Sequence, residues 1–315
     1  MIEKLAESPS AQAEADDLNV EPIDVGDTGS RTIEAGLQKL KEAEQAEERG
    51  DTGLADELFA LANEFKDVWR TKIGHYPPAQ VEPLLVTSVD DAAPVTSKVR
   101  LYPKEQSEYL RQYLAGLSRL GLIWHNNHSK WSSPALPVCK VPGLMEFRIT
   151  VNYTRVSLMV VPFASVMPDI QTVVARIAGF NLYIPFDNHK GFWQLALHPQ
   201  CQDQFSFVTE DGVFTPTRVL QGATDSAIHY QHTVYAAMLY TSLLVWIDDI
   251  IVFAMKHSSF LLKVKQFLQL TTQHGLKLNV AKTQLLCHEV NWCGKYLGEH
   301  GVRHDPARLE ALTAL

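Results

Sequence analysis

The chain has 315 residues, 46% hydrophobic and 20% charged, a balance ordinary for a globular protein with one large core or two modest ones. Its net charge of −8 is unevenly spread, with 8 Lys+Arg against 21 Asp+Glu in residues 1–92 and 20 against 15 in residues 93–315. No apolar run reaches membrane-span length and the polar, acidic start is unlike a secretory signal, so neither a membrane span nor a membrane partner is expected, while the mildly basic body leaves phosphate-bearing partners open.

Residues 1–33 are polar and acidic without sustained period, and are expected to form a disordered acidic leader. Asp27-Thr-Gly and Asp51-Thr-Gly match the tripeptide of aspartic proteases, but neither follows an apolar strand, so that reading is set aside. Residues 34–97 read as a helical segment and linker. Leu54, Leu58, Leu61, Phe65 and Trp69 recur at spacings of three and four, whereas Tyr76-Pro-Pro and the polar 86–97 stretch are linker-like. A second helix is expected from Pro103 through Leu110, Leu114 and Leu117 to Gly121.

The extended runs Ser129–Lys140 and Phe147–Tyr153, joined by Pro142-Gly143, predict a hairpin. It presents Lys140 and Arg148, a pair suited to gripping a polyphosphate. Residues 181–187 form an apolar run ending in Asp187, which is either a cap or a ligand, and Gly191-Phe-Trp-Gln194 follows. A second hairpin is expected around Asp211-Gly212. Leu220-Gln221-Gly222 leads into a helix through Tyr230, Val234 and Met238, with Thr224 or Asp225 as cap.

In Leu243–Ala254, two apolar runs of strand length flank Asp248-Asp249, which reads as a tight hairpin turn. Adjacent carboxylates between apolar walls repel each other, and need hydrogen bonds, solvent or a cation to stay ionised. The bland alternative is a surface hairpin that happens to turn on two aspartates. Beyond it, Ser258 is expected to cap a helix through Leu261, Val264 and Leu268 that Gly275 closes, and Val290–Trp292 is strand-like before Gly294. Cys287, Cys293, His300 and His304 have a loosely zinc-like spacing, but the central gap is shorter than a zinc finger requires. The four cysteines, Cys139 included, lack CxxC spacing, as expected of reduced thiols inside a cell. There is no internal repeat.

Taken in order, the segments from about residue 98 to 312 resemble the reverse transcriptase domain of LTR retrotransposons, closest to the gypsy type. The blocks are Trp131-Ser-Ser-Pro-Ala-Leu-Pro-Val with Phe147-Arg148, then Phe186-Asp187 with Gly191–Gln194, and Leu220–Gly222 with Ser226 and Tyr230-Gln231. Trp246-Ile-Asp-Asp249, His274–Lys282, Trp292-Cys-Gly294 and Gly301–Pro306 complete the series.

The resemblance implies an α+β polymerase of palm and fingers over residues 98–315, with a primer-grip region, behind the acidic, partly helical leader. Its implied activity is RNA-directed DNA polymerisation: dNTPs added to a primer 3′-hydroxyl on an RNA or DNA template. Asp187 and Asp248 would hold two Mg²⁺ ions with Asp249 in support, and Mn²⁺ could substitute. Lys140 and Arg148 would bind the triphosphate, Gln221 and Gly222 the sugar and base, and Phe192 would crowd a ribose 2′-hydroxyl. Lys282, Trp292, Cys293 and Gly294 would meet the primer and template. The family's Asp-Tyr-Arg is Asn152-Tyr-Thr154 here, Trp246 replaces a Phe or Tyr, and Asn188-His-Lys190 replaces a Leu-Arg-Ser pattern. The end at Leu315 leaves most of the thumb, the connection and the ribonuclease H domain outside the chain, as in a fragment of a retrotransposon polyprotein. Copying would take place in cytoplasmic virus-like particles. The competing expectation is a decayed or domesticated fold that binds nucleic acid or a protein without catalysis, which the intact aspartates disfavour.

Overall fold

The computed structural model describes residues 33–39, 52–139, 147–165, 167, 169–238 and 243–304. The leader before Ile33, Asp27, Asp51, Lys140 and the Pro142-Gly143 turn lie outside the described residues. The fold is α+β and divides into two compact units, one from the described residues of 84–162 and 197–226, the other from those of 27–83, 163–196 and 227–315.

The first unit is built on a five-stranded sheet, in the order Ile123–His125, Gly212–Pro216, Phe207–Thr209, Ser133–Cys139 and Phe147–Val151. The last two strands pair antiparallel, with Cys139 opposite Phe147 and Val138 opposite Arg148, as the two extended runs flanking Pro142-Gly143 predicted. The helix Lys104–Arg119 begins after Pro103, whose fixed φ suits a helix start, and buries Leu110, Leu114 and Leu117. Tyr109 on the same face packs its ring 5.5 Å from that of Phe147. In the second hairpin Thr209 pairs with Gly212, so the loop is Glu210-Asp211, one residue earlier than expected. Residues 86–97 are not a bare linker: Val86 and Val95 are buried, and Thr87 and Val89 hydrogen-bond to the backbone of Val161 and Met159.

The second unit centres on a three-stranded antiparallel sheet ordered Leu182–Asp187, Asp249–Ala254, Leu243–Trp246. Its middle strand is an unbroken apolar run because both faces are covered, and Ile250, Ile251 and Val252 are fully buried. On one face the helix His257–Gln273 sets Phe267 against Phe186 at 4.5 Å between ring centroids. On the other, Val173, Val174 and Ile177 join Tyr183, Leu244, Trp292 and Leu297 in one core cluster. That helix starts a residue before Ser258; Lys256 holds the cap position, and Ser259 donates to the Lys256 carbonyl. Gly275 follows its end at φ +68°, as expected.

The helix Thr52–Glu64 buries Leu54, Leu58 and Ala62, then stops short of Trp69. Trp69 instead lies in the short strand Trp69–Arg70, parallel to Leu278–Asn279, and its indole N–H donates to the Ala62 carbonyl at 2.9 Å. A further antiparallel sheet, Glu289–Trp292, Lys295–Gly298 and Gly301–His304, completes this unit. No helix among the described residues is long and apolar enough to cross a membrane.

Candidate active site

The sheet register brings the three aspartates together. Asp187 ends one strand and Asp249 opens the next, and the two are direct cross-strand partners. Trp246 pairs with Asp249, so the two-residue loop is Ile247-Asp248 rather than the aspartate pair itself. Asp248 sits in the turn and Asp249 in the strand.

Ile247 has φ +51°, a left-handed conformation that costs a β-branched residue about 1–2 kcal/mol. Gln231, 2% exposed on the helix Thr224–Ala237, holds the turn in that shape. Its Nε2 donates to the Val245 carbonyl at 2.9 Å, and its Oε1 accepts from the Ile247 N–H at 2.6 Å. One buried amide therefore satisfies two backbone groups flanking the acidic turn. Gln194 plays a matching part below Asp187. Its Nε2 donates to the carbonyls of His189 and Lys277, both at 2.8 Å, and its Oε1 accepts from the Lys277 N–H at 2.6 Å.

Electrostatics at this point are strained. Burial, followed by the charges of Asp187 and Asp249, pushes the Asp248 carboxyl up to about 7, and Lys282 opposes that shift. Asp249 is raised by burial and by Asp187. The buried Oδ1 of Asp248 has no hydrogen-bond partner. Lys282 Nζ stands 3.0 Å from Asp187 Oδ2. The Tyr230 hydroxyl is fully buried beside the carboxylates, and burial plus their charge raises it far above the ordinary tyrosine value. A Cβ on Gly191 would stand 2.4 Å from that hydroxyl and 2.7 Å from Asp248 Oδ1, so only glycine lets the backbone approach this closely.

An orphaned carboxylate oxygen and three converging acids suit a hard divalent cation with oxygen ligands. Among the described residues no set of three or more His, Cys, Asp or Glu side chains forms a ready-made metal cage. Such a site supplies part of a coordination sphere, which fits Mg²⁺, an ion commonly held by one or two carboxylates with substrate phosphates completing the set.

Residues 141–299 match the family model described as reverse transcriptase (RNA-dependent DNA polymerase). This chain belongs to the reverse transcriptase family. It is 30% identical over 261 residues to the Gag-Pol polyprotein of koala retrovirus, covering 78% of this chain and 15% of the polyprotein. It is 23% identical over 230 residues to a retrovirus-related Pol polyprotein from the Drosophila melanogaster transposon 297, covering 70% of this chain and 21% of that one. The chain thus spans less than a quarter of these relatives' length. A solved foamy viral protease-reverse transcriptase in complex with dsDNA shares the fold, with TM-score 0.80 and 16% identity over 93% of this chain and 60% of that one. Retroviral and transposon polyproteins both match, a wider set than the gypsy type.

The structure sorts the remaining site residues of this reverse transcriptase chain. Phe192, in the short helix Gly191–Gln194, lies in the same unit as the aspartates and packs its ring 5.0 Å from that of Tyr230. Cys293-Gly294 is the two-residue loop between Trp292 and Lys295. Both loop residues have positive φ, +49° and +75°, the geometry of a hairpin turn matched to strand twist. Its Cys293 thiol, pushed up to about 12 by burial and by Asp249, reaches to 3.9 Å from Asp249 Oδ2. Trp292 is 2% exposed inside the core, so its ring supports the turn from beneath and is not offered to a primer.

Arg148, Gln221 and Gly222 are exposed on the first unit, Arg148 projecting from the strand Phe147–Val151. Sequence reasoning assigned no role to Gly191, Gln194, Tyr230 or Gln231. Tyr230-Gln231 was visible as a motif, but a polar residue on a helix carries no mark of which face it takes.

Proposed function

We propose that this chain is an RNA-directed DNA polymerase that extends a primer 3′-hydroxyl with dNTPs on an RNA or DNA template. The observation that carries the reading is the register that sets Asp187 opposite Asp249 with Asp248 in the adjoining turn. Three acids crowded at one sheet end raise the cost of one another's ionisation, an arrangement that serves nothing in a surface hairpin and serves metal-dependent phosphoryl transfer well.

Asp187 and Asp248 would hold two Mg²⁺ ions, replaceable by Mn²⁺, with Asp249 in support. Bound there, the metal would lower the pKa of the primer hydroxyl and offset charge on the transferring phosphoryl group. Gln231 keeps the turn closed so that the Asp248 carboxylate is aimed before substrate arrives. Phe192, backed by Tyr230, would exclude a 2′-hydroxyl by bulk. The resemblance gives Lys140, Arg148, Gln221 and Gly222 to the nucleotide, and Lys282 with the Cys293-Gly294 turn to the primer and template. The polyprotein relatives support other polyprotein segments as partners, and retroelement copying points to cytoplasmic particles.

Single-nucleotide extension of a DNA primer on an RNA template tests the reading. Template-directed incorporation of dNTPs, with rNTPs rejected by the wild type and accepted more readily by Phe192→Ala, is the expected result. Folded protein that incorporates nothing, or that prefers rNTPs, would overturn it.

A further inference from the structure

Asp187, which would bind the metal, already has a cation beside one carboxylate oxygen. Lys282 Nζ lies 3.0 Å from Asp187 Oδ2, with the lysine side chain 64% exposed and the aspartate 19% exposed. We propose that Lys282 is the resident counter-ion of the metal-free site, and that its ammonium must leave Asp187 before a divalent cation can load. Lys282 would then set the metal concentration at which the site fills. This rests on the metal-site reading above.

The local structure supports an exchange of this kind. The backbone carrying Lys282 is pinned: Asn279 Oδ1 accepts from the Ala281 N–H at 3.1 Å, and the Asn279 carbonyl accepts from the Thr283 N–H and hydroxyl at 3.2 and 2.9 Å. Thr283 is 2% exposed, so the turn is held from within. The lysine stem projects from this fixed base into solvent, free to swing without disturbing the fold. Its charge also offsets those of Asp248 and Asp249, so the ammonium neutralises the group and does more than pair with one acid.

An incoming Mg²⁺ meets two obstacles with the same origin: an occupied ligand oxygen and a like charge within contact distance. Removing Lys282 relieves both, so the effect on metal affinity has one sign. A solvated lysine that merely drifts near Asp187 would leave affinity unchanged.

Mn²⁺ titration of the whole chain, followed by the paramagnetic signal of free Mn²⁺, provides the test without requiring turnover. Lys282→Met is expected to tighten Mn²⁺ binding about fivefold, the upper range for a partly exposed ion pair. Lys282→Arg, which keeps the charge, should remain near wild type, and Asp187→Asn should weaken binding with or without Lys282. Affinity that is unchanged or weaker in Lys282→Met, while Asp187-dependent binding persists, would overturn the counter-ion role alone. Absence of Asp187-dependent binding in every form would instead overturn the metal-site reading.

Discussion

Gln231→Leu should loosen the Ile247-Asp248 turn. Leucine preserves the bulk of the buried side chain, so no cavity opens and the effect isolates the amide. Two hydrogen bonds disappear: the 2.9 Å bond to the Val245 carbonyl and the 2.6 Å bond from the Ile247 N–H. Val245 is 3% exposed, so its carbonyl has no ready route to water, while the half-buried Ile247 N–H can recover solvent in part. A buried group left unpaired costs about 1–3 kcal/mol, so the two together should cost about 2–4 kcal/mol. Ile247 would also be released from φ +51°, and Asp248, the next residue, would move with it. A displacement of about 1 Å at a reacting group can lower the rate on the order of a hundredfold. Urea denaturation reads the first effect and single-turnover incorporation the second. Stability within about 0.5 kcal/mol of wild type, with incorporation intact, would show that the amide does not hold the turn.

Gly191→Ala should abolish most incorporation and destabilise by about 1–3 kcal/mol, because its Cβ would enter the Tyr230 hydroxyl and Asp248 Oδ1, and Tyr230→Phe in the same chain should restore part of the loss. Trp292→Ala should cost about 3–5 kcal/mol in unfolding free energy; a variant of normal stability that loses only primer affinity would place the ring outside the core. Without divalent metal, stability should fall as pH rises from about 4 to about 7. Folded Asp248, raised to about 7, keeps a proton there that the unfolded chain, titrating near the ordinary aspartate value of about 4, has lost. Melting temperatures across that range in chelator should show this slope, and Asp248→Asn or saturating Mg²⁺ should reduce it; a slope unchanged by both would contradict the burial of that carboxylate.

Much of the architecture was legible because it depends on patterns the chain cannot hide. Acids that end or interrupt apolar runs, as at Asp187 and Asp248-Asp249, stand out against their strands, and the register then brings them together. Which two residues form a loop was less legible. Both hairpins turn one residue earlier than the acidic pair or the Asp-Gly signal suggested, because alternation fixes which side chains share a face but not where pairing ends. Trp69 continued the helical spacing of Leu58 and Leu61 yet belongs to a strand, since i+3 and i+4 recurrence does not announce where a helix stops. The buried amides of Gln194 and Gln231 were invisible for a different reason. Their roles exist only once backbone groups distant in sequence, such as Lys277 for Gln194 and Ile247 for Gln231, arrive beside them.

The most direct measurement is primer extension on an RNA template with dNTPs and Mg²⁺, comparing wild type with Asp187→Asn and with Asp248→Asn. Each variant keeps side-chain shape and removes one charge from the cluster, so folding should be preserved. Incorporation by the wild type that vanishes in both variants is the predicted result. Incorporation that survives either substitution, or a folded wild type that incorporates nothing, would contradict the assignment of these aspartates as the polymerase centre.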